Sequence, residues 1–224
     1  MSAALGVLAS ILSIALVWPQ VWLSCRHRRT GGISPTSAWL VVSLNLCWVV
    51  FGLLTDDPAQ FVTNAVVGAA NTAVLGALLV TQPQLRTRRA LLRAVPAAAA
   101  LVALALGSAV AVVLLDVPSA AVAGGLGTVI SLVGSAAAAV QPLSLLRDRA
   151  QDLSGLSVAR WYLGAGSCAS WAGYGWLGGQ PTVYLSAAFG LLCALVVCAV
   201  LRGTRGGAPA PSVAVGHRAV LAAA

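Results

Sequence analysis

No lysine and no glutamate occur among the 224 residues, and histidine occurs twice, at His27 and His217. Charged residues make up 8% of the chain, roughly a third of the share usual in a soluble domain. There are no paired catalytic carboxylates and no His-Glu metalloprotease spacing, so acid–base and metal-assisted chemistry lack their usual side chains. The chain is not expected to be an enzyme. The five cysteines, Cys25, Cys47, Cys168, Cys193 and Cys198, stand on no ligand-like spacing. They are expected to be small buried hydrophobes, without a disulfide, a metal or a cofactor.

What the chain has in abundance is apolar surface: 59% of residues are hydrophobic and the mean hydropathy is +0.93. No water-soluble fold of this size hides that much, because a soluble domain needs a polar exterior. A lipid-spanning helix needs about 20 largely apolar residues, and about seven such windows are present, near 4–24, 36–54, 59–81, 94–115, 120–146, 157–177 and 180–201. The expected fold class is an all-α membrane protein with seven transmembrane helices.

The formal charge of +8 would suit nucleic acid, but the placement of the charges excludes that partner. Arg26, Arg28 and Arg29 follow the first window; Arg86, Arg88, Arg89 and Arg93 follow the third. Arg147, Arg149 and Arg160 flank the link after the fifth, and Arg202, Arg205 and Arg218 follow the seventh. The alternate links carry Asp56, Asp57 and Asp116 and no arginine. Arginine bias marks the cytoplasmic side, which predicts an N-terminus outside and a C-terminus inside. Asp148 and Asp152 are expected to pair with neighbouring arginines or water. The positive charges follow the first apolar run rather than precede it, unlike a cleaved signal peptide. The tail from Gly203, rich in Gly, Ala and Pro, is expected to be a flexible cytoplasmic end. The alanine- and arginine-rich, lysine-free composition points to a GC-rich coding sequence and a bacterial inner (plasma) membrane.

The chain repeats itself. Pro19 falls on Pro142, 123 residues on, and the same shift carries Leu23 onto Leu146, Arg26 onto Arg149, Gly32 onto Gly155 and Ser34 onto Ser157. It also carries Trp48 onto Trp171, Phe51 onto Tyr174, Gly52 onto Gly175, Leu54 onto Leu177, Pro58 onto Pro181 and Phe61 onto Tyr184. Matched Trp, Gly and Pro at one offset are hard to reach by chance even in a biased composition. The division this predicts is a first three-helix repeat over about 1–82, a basic link and linker helix over 83–119, a second repeat over 120–202, and a tail over 203–224. The linker crossing lets both units enter the bilayer in the same direction, a 3+1+3 plan of parallel repeats known among carriers.

Candidate site residues sit at matched places in this plan. Pro19 deprives the Ala15 carbonyl of its helical donor, and Pro142 does the same to Ala138, making two candidate hinges or two static kinks. Gln20 is placed to satisfy freed backbone groups. Asn45, Trp48 and Gly52 share one face of the second helix, and Asn64, Gly68 and Asn71 one face of the third. Trp48 and Asn64 lie roughly 7–9 Å below the outer end of their helices. An indole stacks on sugar C–H surface while a carboxamide offers a donor and an acceptor to hydroxyls, so together they suit a small neutral solute. A belt anchor for the tryptophans and interhelical glue for the asparagines are the alternatives. No ionisable group lies within a span interior, which argues against proton symport.

Pro19-Gln20 with Gly32-Ile33-Ser34, Asn45-Leu46-Cys47-Trp48-Val49-Val50-Phe51-Gly52, and Pro58 through Asn64 to Gly68 resemble the motifs of the PQ-loop superfamily, which includes the SWEET and SemiSWEET sugar carriers. The resemblance covers both repeats, about residues 5–81 and 126–202. It implies a sugar site at Trp48, Trp171 and Asn64. The second motif departs from the pattern, reading Gln141-Pro142, and Asn64 matches Ala187; Tyr184, on a similar face, offers a hydroxyl instead. The expectation is a carrier that moves a small neutral solute, such as a sugar, by alternating access, with the bilayer as its other partner. The other classes open to this superfamily are a proton-coupled amino-acid transporter and a non-transporting receptor or accessory factor. Assembly into a homo-oligomer is left open.

Overall fold

The computed structural model describes residues 2–31, 33–147 and 158–206. Gly32, the link 148–157 with Arg149, Asp152, Gly155 and Ser157, and the segment from 207 with His217 and Arg218 lie outside the described residues, as does the Gln141 side chain.

Proline sets half of the α-helix starts. Pro35, Pro58, Pro96 and Pro181 each open a helix, where the absent N–H costs nothing and φ is already helical. Helix α1 spans Ser2–Val21 and runs through Pro19 into a π-helical segment, Trp22–Arg26. Helix α2 spans Pro35–Leu54, with Ser34 accepting from the Ser37 N–H at 3.3 Å. Helix α3 spans Pro58–Thr81, capped by the Asp57 carboxylate on the Gln60 N–H at 3.0 Å. After a 3-10 turn at Pro83–Arg86 comes a short helix, α4 (Arg88–Ala94), then α5 (Pro96–Leu115), α6 (Ser119–Arg147), α7 (Val158–Leu177) and α8 (Pro181–Gly206). The last helix continues past Gly203, where a flexible end was expected.

Among the described residues six helices are long and apolar enough to cross a membrane: α1 with its π segment, α2, α3, α5, α6 and α8. The sequence windows predict seven; α7 has the length but not the apolarity. Its sequence, VARWYLGAGSCASWAGYGWL, draws on glycine, serine, tryptophan and tyrosine rather than aliphatic residues. The cause is its position, for α7 packs against both α1 and α8, and small residues let helices approach closely. Ser167 and Ser170 are among its buried residues.

Helix α3 packs against both α1 and α2, and α8 against both α6 and α7. These two sets meet where α1 packs on α7 and α2 on α6, while α5 lies against α2 and α6. Helix α5 buries Ala98, Leu101, Ala105 and Ser108, and its Leu101 carbonyl accepts from the Cys47 thiol at 3.3 Å. Cys47, Val50, Phe51, Leu126, Ile130 and Val183 join Leu101 and Ala105 in the main apolar core.

The sequence repeat reappears bond for bond in two turns. In the first, Thr55 N–H donates to Phe51 O (3.0 Å), Asp57 N–H to Gly52 O (2.8 Å) and Phe61 N–H to Asp57 O (3.0 Å). In the second, Gly178 N–H donates to Tyr174 O (2.9 Å), Gln180 N–H to Gly175 O (2.8 Å) and Tyr184 N–H to Gln180 O (3.1 Å). Every atom pair is shifted by 123 positions. Asp56 (φ 49°) and Gly179 (φ 65°) hold the same left-handed place in their turns. Gly52 and Gly175 are likewise equivalent in role: a Cβ on them would lie 2.6 Å from the Phe61 nitrogen and 2.7 Å from the Tyr184 nitrogen.

Candidate functional site

A cavity of about 320 Å³ lies where the two helix sets meet. Trp48, Asn64 and Trp171, singled out in the sequence, all line it. The lining pairs off across the repeat: Trp48 with Trp171, Gln60 with Val183, Thr63 with Ser186, Asn64 with Ala187 and Val67 with Gly190. In each of the amide-bearing pairs α3 supplies the amide and α8 an apolar side chain, so the amides lie on one wall while the facing wall offers the hydroxyls of Ser135 and Ser186. None of the lining residues is Asp, Glu, Lys, Arg or His.

The polar wall is ordered from behind. Asn64 donates through Nδ2 to the Gln60 carbonyl (2.9 Å) and to Gln60 Oε1 (3.1 Å). Thr63 donates to the Ser10 hydroxyl at 2.6 Å, and Ser10 to the Gly6 carbonyl at 2.7 Å. On the opposite side the Trp171 indole N–H donates to Ser13 Oγ at 3.1 Å, and Ser13 Oγ lies 2.9 Å from Ser167 Oγ. The second set's tryptophan is therefore oriented by a serine of α1, from the first set. Both tryptophans meet an aromatic edge one turn on, Trp48 with Phe51 at 5.3 Å and Trp171 with Tyr174 at 5.5 Å between ring centres. Such T-shaped pairs restrict ring rotation.

Above the cavity, at the aspartate-bearing end, one carboxylate ties the two sets together. Asp57 is buried and accepts from Tyr174 Oη (2.7 Å), Gln180 Nε2 (2.9 Å) and its own capped Gln60 N–H. Asp57 and Gln180 are equivalent positions in the repeat, so the bond joins the two matching turns. Tyr174 also rests on α1: a Cβ on Gly6 would lie 2.9 Å from its ring. Gln180 Oε1 is buried with no hydrogen-bond partner among the described residues.

Other expectations require correction or fall apart from the cavity. Asn45 is buried but turns its amide onto the Val41 carbonyl (2.7 Å) and packs under Gly68, where it serves helix contact. Asn71, two turns beyond Asn64, is half-buried and does not line the cavity. Tyr184 does not replace the missing amide, because its ring packs on Trp176, 5.4 Å between centres, and its backbone seats Gly175. Gln20 donates to the Ser24 hydroxyl at 2.9 Å rather than to a freed carbonyl. The two prolines differ in setting: Pro19 is exposed and Pro142 buried. Ala138, whose carbonyl Pro142 leaves without a helical donor, lines the cavity; Ala15 does not. Gln141 stands beside Pro142 in α6.

Ser13, Gln60 and Thr63 escaped the sequence reading, and Asp57 was read there only as a charge of the links. Isolated serines and threonines carry no signal in such a chain, but Asp57 and Gln180 could have been flagged as polar residues at equivalent places in the repeat.

Residues 1–61 match the family model described as PQ loop repeat. The match covers α1, the π segment, α2, the Gly52–Asp57 turn and the start of α3. A comparison with curated proteins gives no match.

Proposed function

We propose that this PQ-loop membrane protein is a carrier for a small neutral solute, a sugar by preference, working by alternating access between two parallel three-helix repeats. The observation that carries this reading is the uncharged cavity at the meeting of the two helix sets, with an indole from each and an amide wall on one side. A zwitterion or an ion would enter such a site at a steep desolvation cost, whereas a polyol brings hydroxyls for Asn64, Gln60 and Thr63 and C–H faces for the two rings. The duplicated turns and the matching neighbours of α3 and α8 support the 3+1+3 plan, with α7 as the seventh crossing, α5 as connector and repeats over 1–82 and 120–202. With the arginine-bearing ends in the cytoplasm of a bacterium, N-terminus outside, the Asp57–Tyr174–Gln180 cluster closes the outer side.

A second reading draws on one observation. Asp57 is the charged residue buried in the described interior, and its carboxylate joins the two helix sets through Tyr174 and Gln180; ionisable groups inside membrane carriers commonly serve proton relays. Proton-coupled transport is favoured by that arrangement.

Uptake into proteoliposomes of labelled neutral sugars and amino acids, with and without a pH gradient, separates the readings. Saturable sugar uptake, indifferent to the gradient and at least about tenfold lower in Trp48→Ala, is the expected result. Flux that follows the gradient would replace the facilitator with the proton-coupled carrier. Verified, folded protein with no flux across the panel would leave a receptor or accessory factor.

A further inference from the structure

A second cleft, of about 720 Å³, lies at the arginine-bearing end, away from the cavity. Its walls are Trp39 of α2, Leu79 of α3, Leu91 and Leu92 of α4, and Val95 and Pro96 at the start of α5, with Arg86 and Arg88 beside them. Arg86 is fixed across it, its Nε donating to the Leu79 carbonyl at 2.7 Å. That bond uses one of the five N–H donors of the guanidinium. Both arginines are exposed. Among the described residues every carboxylate, Asp56, Asp57 and Asp116, belongs to the opposite end.

We propose that this cleft binds an anionic phospholipid of the surrounding bilayer, its phosphate held by Arg86 and Arg88 and an acyl chain lying along Trp39, Leu79, Leu91, Leu92 and Val95. The occupant follows from the two chemistries that the cleft combines. Two cationic forks without a carboxylate suit a phosphate, which guanidinium meets in bidentate fashion. A free phosphate would leave the apolar walls uncovered, and a neutral lipid would leave the arginines unmatched. A basic pocket between helices at the cytoplasmic boundary is a recurrent place for an acidic lipid head. Bound there, the lipid would brace α4, the short helix between the first repeat and α5.

Trp39 supplies the readout. Full-length protein is reconstituted with phospholipids brominated on the acyl chain, phosphatidylglycerol or phosphatidylcholine, and the Trp39-dependent fluorescence is taken as the difference from Trp39→Phe. Brominated phosphatidylglycerol is expected to quench that component at roughly tenfold lower mole fraction than the choline lipid. Arg86→Gln/Arg88→Gln should abolish the preference. Arg89→Gln/Arg93→Gln, the same loss of charge at residues outside the cleft, should keep it. Equal quenching by the two lipids in the wild-type protein would overturn the proposal, and needs no variant of the arginines to fold. Equal loss in both double variants would reduce the effect to surface charge and also overturn it. Displacement of the lipid by inorganic phosphate would assign the site to a soluble anion instead.

Discussion

Asp57 bears a charge where three donors converge, and Gln180 beside it keeps one acceptor unmatched. That asymmetry separates two substitutions. Asp57→Ala strands the Tyr174 hydroxyl, a Gln180 N–H and the Gln60 N–H together, so a loss of about 3 kcal/mol is expected in unfolding followed in detergent or lipid. Asp57→Asn keeps acceptors for Tyr174 and Gln60, and its new NH₂ group suits Gln180 Oε1 once that amide turns over. Its cost should stay within about 1 kcal/mol. Equal losses in the two variants would mean that the charge itself, rather than the bond count, holds the turns together. Residues at this scale were legible in proportion to their rarity. Trp48, Trp171 and Asn64 stood out because large or polar groups are scarce in an apolar chain, and they share the cavity. Ser13 did not, since its role depends on Trp171 across 158 positions of sequence, a proximity that only the fold creates.

The glycines of α2 and α7 set how closely each helix meets its successor. Gly175 is buried, and a methyl group there would meet backbone, which has no rotamer to yield. Gly175→Ala is expected to cost about 1–3 kcal/mol through forced separation of α7 and α8. Gly164→Ala, in the same helix with nothing within 4 Å, should be neutral or slightly stabilising, as alanine favours helix. Thermal unfolding of both proteins in one detergent compares them directly; matched midpoints would remove the close approach as the cause. The helix starts were legible because proline fixes them: α2 and α3 begin at Pro35 and Pro58, one residue from the windows expected. The π segment after Pro19 and the short α4 were not, because neither leaves an apolar period. Helix α7 was read as one of the largely apolar windows, but it is less apolar than the six other long helices, because glycine, serine and aromatic residues on it serve its packing against α1 and α8.

For the molecule as a whole, the proposed carrier requires that the aspartate-bearing end, tied through Asp57, part and close again. The two duplicated turns are the parts that must separate, and Asp57 and Gln180 face each other between them. Fixing that pair should stop flux without filling the cavity. In a protein whose exposed Cys25 and cavity-lining Cys168 are replaced by alanine, and whose uptake is first verified, Asp57→Cys/Gln180→Cys can be bridged by a short bifunctional thiol reagent. Bridging is expected to lower uptake by roughly tenfold or more, with recovery on reduction, while solute still binds from the arginine-bearing side. Each protein carrying only one of the two introduced cysteines should take up solute whether or not it is treated. The mechanical reading follows from the repeat: two units that meet through equivalent turns can rock about the cavity between them, and a tether at one end holds the pair in one of its two arrangements. Undiminished flux in the bridged protein would show that the turns move together, and the route past the tryptophans would then have to open elsewhere.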